Sequence, residues 1–239
     1  MKMIIQRILA ISVVIVLSLV LNYTTTQDII STETGQIGFQ ILLIIYLIQL
    51  VVFLISFVLK TEHYYDLTGG ITYITVIVYT LYQKQLLGAL DFRSILLGVL
   101  ILVWAMRLSS FLFLRIKKAG KDRRFDKIKT NFTRFMLAWA LQGFWVFMCT
   151  LPAITAIASE SKTIDYFLVG GAALWLFGFI MEVVADRQKS DFNQDPKNKG
   201  QFISTGLWSI SRHPNYVGEV LLWTGIAVIA MPTFSGFQY

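Results

Sequence analysis

The chain has 239 residues, 56% of them hydrophobic and only 15% charged, with a net charge of +7. Its mean hydropathy of +0.64 excludes an ordinary water-soluble domain, which carries far more charge, and its single cysteine, Cys149, excludes an intramolecular disulfide. Repeated apolar runs of about 20 residues point to an all-α fold, a polytopic transmembrane helix bundle forming one integral membrane domain over 1–239.

Seven spans are predicted, at 3–21, 39–59, 71–90, 94–114, 132–157, 164–182 and 214–231. The first opens Met-Lys-Met, like a signal peptide, but Leu21-Asn22-Tyr23-Thr24 offers no small-x-small cleavage site, so it reads as a retained anchor. Before span three comes Thr61-Glu62-His63-Tyr64-Tyr65-Asp66-Leu67-Thr68-Gly69-Gly70. Its tyrosines suit an interfacial aromatic belt, and Asp66 with Thr68-Gly69-Gly70 suits a turn and helix cap. The other reading is an acid group reaching into a polar cavity.

Span four carries Trp104, Arg107, Phe111 and Arg115 at spacings of three, four and four, which place them on one helical face. Arg115 sits at the helix end, and Arg107 lies roughly 12 Å deeper. An arginine at that depth costs several kcal/mol unless it snorkels, pairs with an acid or meets an anion. The following loop holds Gly120-Lys121-Asp122-Arg123-Arg124, and paired arginines suit bidentate phosphate recognition.

Span six ends with Glu182, Asp186, Lys189 and Asn193, again at helical spacing. They form either a solvated helix end or a polar wall facing a ligand. Span seven is announced by the Thr205-Gly206 turn and by Ser211-Arg212-His213-Pro214-Asn215-Tyr216. Pro214 fits a first helical turn, with His213 or Ser211 near the cap. Arg212, Tyr216, Glu219 and Trp223 then share a face with Asn215 beside it, and a helix N-terminus there favours an anion. The chain stops at Gln238-Tyr239 with no polar tail, so a chain continuing into a further C-terminal helix is expected.

Lysine and arginine concentrate near Lys2 and Arg7 and in the loops 115–134 and 187–213, whereas loop 22–38 has none. The positive-inside rule therefore predicts a cytoplasmic N-terminus and cytoplasmic basic loops. The net charge reads as this topology signal plus attraction to anionic headgroups. No nucleic-acid partner and no metal site are predicted.

Taken together, Trp104, Arg107, Arg115, Gly120 to Arg124, Glu182, Ala185-Asp186, Gln188-Lys189, Gly206-Leu207-Trp208 and Ser211 to Glu219 resemble a bacterial branch of the steroid 5-alpha-reductase-like membrane proteins, the DUF1295 family. The resemblance is strongest over 60–231. The Arg-His-Pro-x-Tyr segment alone also resembles isoprenylcysteine carboxyl methyltransferases and sterol C14-reductases. What the resemblance implies is a helix bundle with NADPH held in its cytoplasmic half, within 104–223, and hydride transfer to an activated C=C bond of a lipid-like substrate. By that analogy Asp186, Asn215 and Glu219 contact the cofactor, and Arg107, Arg115 and Arg124 contact phosphate. Trp104, Asp122, Arg123, Glu182, Lys189, Arg212 and His213 complete the candidate cofactor site. The reductases' Gln-Glu pair has no match in the second span, which leaves the catalytic acid open.

The residues themselves agree with such a ligand. A nicotinamide dinucleotide needs cationic contacts, carboxylate and amide partners and a dry pocket. No Gly-x-Gly-x-x-Gly follows a strand, so a Rossmann site is excluded. Reducing an enone needs a donor that polarises the carbonyl, and Tyr65, Asp66 and Tyr216 are the candidates. Two alternatives stand beside the reductase: an S-adenosylmethionine-dependent lipid or isoprenylcysteine-type methyltransferase, and a non-catalytic lipid-binding membrane protein.

Overall fold

A computed structural model describes residues 1–26, 31–32, 35–160 and 162–235. Seven α-helices dominate: α1 (Lys2–Thr25), α2 (Ile37–Val58), α3 (Tyr65–Leu86), α4 (Phe92–Ala119), α5 (Phe132–Ala158), α6 (Tyr166–Gln194) and α7 (Pro214–Ala230). The other regular elements among the described residues are short: an antiparallel ribbon of Ser31–Thr32 with Gly35–Gln36, and four 3-10 turns at Arg123–Phe125, Pro196–Asn198, Gly206–Ser209 and Met231–Thr233. The helices match the predicted all-α bundle, and six are long and apolar enough to cross a membrane.

α3 falls below that hydropathy for a physical reason. Its buried face carries Thr68, Thr72, Thr80 and Lys84. The three threonine hydroxyls each donate to the carbonyl four residues back, so the polar groups are satisfied within the helix and face protein.

The helices begin and end as the chain's local chemistry dictates. Asp91, Asn131 and Asp165 accept hydrogen bonds from the main-chain N–H groups of Ser94, Arg134 and Leu168 and so cap α4, α5 and α6. α4 stops at Gly120, whose φ of 80° suits a residue without a Cβ.

The chain forms two compact units. The first comprises Met1–Ser161 with Thr233–Tyr239 and holds α1 to α5. Close glycine contacts draw α3 and α4 together: a Cβ on Gly70 would lie 2.3 Å from the Ser109 Cβ, and one on Gly98 would lie 2.6 Å from the Leu81 Cδ1. These pairs run in opposite directions along the two helices, so the first turn of α3 lies beside the last turns of α4. An aromatic cluster of Phe53, Phe125, Phe135 and Trp139 packs there. At the other end of α3, the buried Lys84 ammonium donates to the Ser159 carbonyl and lies 3.6 Å from the Asp91 carboxylate. This ties the ends of α3, α4 and α5 together.

The second unit, Lys162–Pro232, is an antiparallel pair of α6 and α7. The helices meet main chain to main chain. A Cβ on Gly171 would lie 2.7 Å from the Gly225 carbonyl oxygen, and one on Gly178 would lie 2.6 Å from that of Gly218. The segment between the helices folds back along α6. The Leu207 N–H donates to Gln188 Oε1 (3.0 Å), and the Trp208 Nε1–H donates to the Ala185 carbonyl (3.0 Å).

Candidate functional site

The predicted residues divide between the two units. In the first, they gather where the first turn of α3, the last turns of α4 and the α4–α5 turn meet. Arg107 and Arg115 both approach the Phe111 ring, with guanidinium carbons 5.3 and 5.9 Å from its centroid. Arg107 is half-buried and Arg115 exposed. The expected single face of α4 is thus formed, with Phe111 between two cations. Trp104 lies deeper, packed edge-on against Tyr73 at 5.1 Å.

Asp66 stands in the first turn of α3 with Oδ2 buried and without a hydrogen-bond partner. Arg124 and Arg115 are the cations acting on it. Tyr65, its neighbour, is committed elsewhere. Its ring packs on Phe125 and Trp139, and its hydroxyl donates to the Ala138 carbonyl (2.9 Å). Of the two, Asp66 has the available polar group. Thr68-Gly69-Gly70 is helix, not turn. Gly69 makes room for Gln142, whose Nε2 would lie 3.0 Å from a Cβ there.

The turn that follows α4 is ordered by acids. Asp122 grips Arg124, with carboxylate oxygens 2.9 and 3.1 Å from Nε, and also accepts from the Arg124 main-chain N–H (2.9 Å). Burial acts to raise the Asp122 carboxyl, but the Arg124 hydrogen bonds and charge outweigh it and hold the group below its ordinary value. The Asp122 carboxylate is therefore an orienter of Arg124. The Arg123 side chain lies outside the described residues.

Two residues here were absent from the predicted set. Glu62, 0% exposed, accepts from the Asp122 main-chain N–H (2.9 Å) and from Lys129 Nζ (2.5 Å). Burial pushes its carboxyl up, but the Lys129 and Asp122 hydrogen bonds prevail and the net displacement is downward. Gln142, on α5, donates to the Tyr65 carbonyl (3.0 Å) and keeps a buried Oε1 without a partner. The signal for Gln142 was its amide inside an apolar span.

In the second unit, α6 continues to Gln194, so the predicted stripe is helical throughout. Glu182 and Asp186 are buried, whereas Lys189 and Asn193 are exposed. Lys189 Nζ lies 4.6 Å from the centre of the Trp208 ring. α7 begins at Pro214 as expected, with His213 as the capping residue, although no side chain caps the helix. The His213 ring stacks on Tyr216 at 5.3 Å. Asn215 Oδ1 is buried without a hydrogen-bond partner. Glu219 is half-buried, and Asp186 is close enough to repel it. The Gly178–Gly218 contact creates this convergence, because the Glu182 main-chain N would lie only 2.7 Å from a Cβ on Gly218. Arg212 precedes the helix and is exposed. Among the described residues, no group of three or more His, Cys, Asp or Glu side chains could hold a metal ion.

The sequence is similar to a protein named as a probable O-methyltransferase, ustE, of Ustilaginoidea virens. The two are 27% identical over 84 residues, 35% of this chain and 30% of that protein. The match thus covers less than a third of that relative's length. No solved structure matches the chain. A family described as a protein of unknown function (DUF1295) matches residues 52–239, which includes both sets of site residues, and this integral membrane protein belongs to that family.

Proposed function

We propose that the protein is a membrane-embedded NADPH-dependent reductase that transfers hydride to an activated C=C bond of a lipid-like substrate. The observation that carries this reading is the cationic end of the first unit. Arg107 and Arg115 flank Phe111, and Arg124 is oriented by Asp122, with Asp66 electrostatically coupled to Arg124 and Arg115. A ligand with several phosphates fits such a donor set, since guanidinium groups bind phosphate in fixed, forked geometry.

Asp66 Oδ2 is buried without a partner, a state that costs about 1–3 kcal/mol for a neutral group and that a bound ligand relieves. Bound NADPH supplies the hydride. Arg107, Arg115 and Arg124 bind its phosphates. Asp66, carrying a proton, hydrogen-bonds the substrate carbonyl oxygen as negative charge develops there. In this reading the N-terminus and the loops 115–134 and 187–213 face the cytoplasm, where the cofactor is available.

A second reading is an S-adenosylmethionine-dependent methyltransferase, favoured by the name of the Ustilaginoidea virens relative. S-adenosylmethionine has no phosphate, and its single carboxylate engages fewer cations than the phosphates of NADPH. Titrating the detergent-solubilised protein with NADPH, NADH and S-adenosylmethionine decides between them. Arg115→Ala and Arg124→Ala are expected to weaken NADPH by roughly ten- to a hundredfold and NADH by less, because NADH lacks the extra phosphate and a charge-assisted hydrogen bond contributes about 1.5–3 kcal/mol. Equal losses for both nucleotides remove the contact to the phosphate that NADPH alone carries. Binding of S-adenosylmethionine with no binding of NADPH replaces the reductase by the methyltransferase.

A further inference from the structure

Glu62 is the most deeply buried acid at the cationic end of the first unit, and neither reading above gives it a role. It lies between α2 and α3, yet both of its partners lie beyond α4. The Asp122 main-chain N–H is 60 positions away and Lys129 is 67. Beside it, His63 Nε2 lies 2.9 Å from the Gly120 carbonyl oxygen, the residue that ends α4. Two adjacent residues therefore fasten the start of the α4–α5 turn. From the other side, Phe125 is 6% exposed and sits in the aromatic cluster against Tyr65 at 4.8 Å and Phe135 at 6.1 Å. The turn from Asp122 to Phe125 is thus held by a buried carboxylate at one end and a buried ring at the other.

What this turn presents is Arg124. Its side chain is 64% exposed, its guanidinium is gripped by Asp122, and its carbon lies 5.9 Å from the centre of the Phe125 ring. A flexible arginine on a free loop loses much rotamer freedom on binding. An arginine fixed by a bidentate acid, on a turn that is itself fixed, has lost most of it beforehand.

We propose that Glu62 is a positioning residue: by holding the Asp122 main chain it sets the Asp122–Arg124 pair, and so sets the affinity of this end of the molecule for a phosphate-bearing ligand. The proposal rests on the reductase reading for the identity of that ligand. The relay runs from Glu62 to the Asp122 N–H, from the Asp122 carboxylate to the Arg124 guanidinium, and from there to phosphate. Glu62 itself touches no ligand.

The test is a double-mutant cycle on the full chain in detergent or nanodiscs, with NADPH and NADH as probes. Glu62→Gln is expected to weaken NADPH roughly threefold to tenfold, less than Arg124→Ala, with a smaller effect on NADH. Because Glu62 acts through Arg124, adding Glu62→Gln to Arg124→Ala should change NADPH affinity by less than about twofold, the non-additivity expected of residues in one network. A merely structural Glu62 gives losses that multiply, and that result overturns the proposal. If Glu62→Gln does not fold, Glu62→Asp, which keeps the charge and withdraws it by one methylene, is put through the same cycle with the same expectation.

Amide hydrogen exchange over 120–125 supplies a readout free of any ligand. Glu62→Gln should speed exchange at Asp122 and Arg124 while leaving α5 protected; unchanged exchange at Asp122 overturns the positioning role. If the intact protein binds neither nucleotide, the reductase reading fails, and the exchange result alone decides whether Glu62 holds the turn.

Discussion

Gly218→Ala should destabilise the second unit, by an amount that follows from the α6–α7 contact. An added Cβ would lie 2.6 Å from the Gly178 carbonyl oxygen, 2.7 Å from the Glu182 main-chain N and 3.1 Å from the Glu182 Cα. All three are main-chain atoms, so no side chain can swing aside. Non-bonded contacts of this kind settle near roughly 3.5 Å, so the helices must part by roughly 1 Å over at least one turn. Overpacking of this kind costs about 1–3 kcal/mol. The gain in helix propensity from Gly to Ala, about 1 kcal/mol at most, offsets part of it. A net loss of up to about 2 kcal/mol is expected, and a loss of about 1–3 kcal/mol relative to a Gly→Ala change that meets no neighbour. Gly170→Ala is the internal control, because a Cβ there meets nothing within 4 Å. The assay is reversible unfolding in mixed micelles, followed by tryptophan fluorescence for both variants. Equal stability of Gly218→Ala and Gly170→Ala would show that α6 and α7 do not meet as described.

Other expectations concern the first unit and the membrane. The carboxyls of Glu62 and Asp122 are both held below their ordinary values, so their stabilisation is present above the ordinary carboxylate range and is lost as pH falls through the depressed values. Acid titration followed by amide exchange at 120–125 should therefore show a turn unchanged at neutral pH and loosened only in strong acid. Loosening on going from pH 7 to pH 9 would contradict this. Lys84→Met should cost about 3 kcal/mol, since it leaves Asp91 with a lost partner in a largely buried site. Asp91→Asn should cost less, because an asparagine still caps α4, and unfolding of the two variants side by side reads the difference. Cysteines placed at positions 121 and 197 should be labelled only from the cytoplasmic side; labelling from outside alone would reverse the orientation drawn from the basic loops.

The spans were legible because a bilayer imposes a length and a composition that one chain must display locally. Predicted and observed helices agree in number and order, and α5 and α7 agree in extent to within a residue. The largest differences have simple causes. α6 runs to Gln194 because nothing stops a helix at the membrane surface, and its polar continuation lacks a hydropathy signal. α3 starts at Tyr65, not near 71, because Thr68-Gly69-Gly70 serves helix packing against Ser109 and Gln142. Hydropathy cannot distinguish that use from a turn.

The candidate site was readable where its residues repeat at helical spacing, as with Arg107, Phe111 and Arg115, or Glu182 and Asp186. It was unreadable where partners are distant in sequence. Nothing near Glu62 announces Asp122 or Lys129. Nothing near Tyr65 announces that its hydroxyl goes to Ala138. Nothing in the sequence around Lys84 and Asp91 announces their pairing, which arises only where α3, α4 and α5 come together.

The α6–α7 contact also acts as an index between the two helices. The glycines on each helix are seven residues apart, Gly171 and Gly178 against Gly218 and Gly225. A slip of one residue would turn a helix by about 100° and slide it about 1.5 Å, driving a side chain such as that of Phe177 into main chain at the Gly218 contact. Registers that bring another glycine to a contact, with Gly170 opposite Gly225 after one residue or Gly178 opposite Gly225 after seven, roughly 10.5 Å along the axis, keep only one of the two contacts. The hairpin therefore has a single phase. That phase brings Asn215 level with Met181, beside Glu182, and leaves Glu219 within the electrostatic reach of Asp186. The alignment of the polar end is thus set partly at Gly171 and Gly225, deep in the apolar stretch, where no polar atom of the site is found.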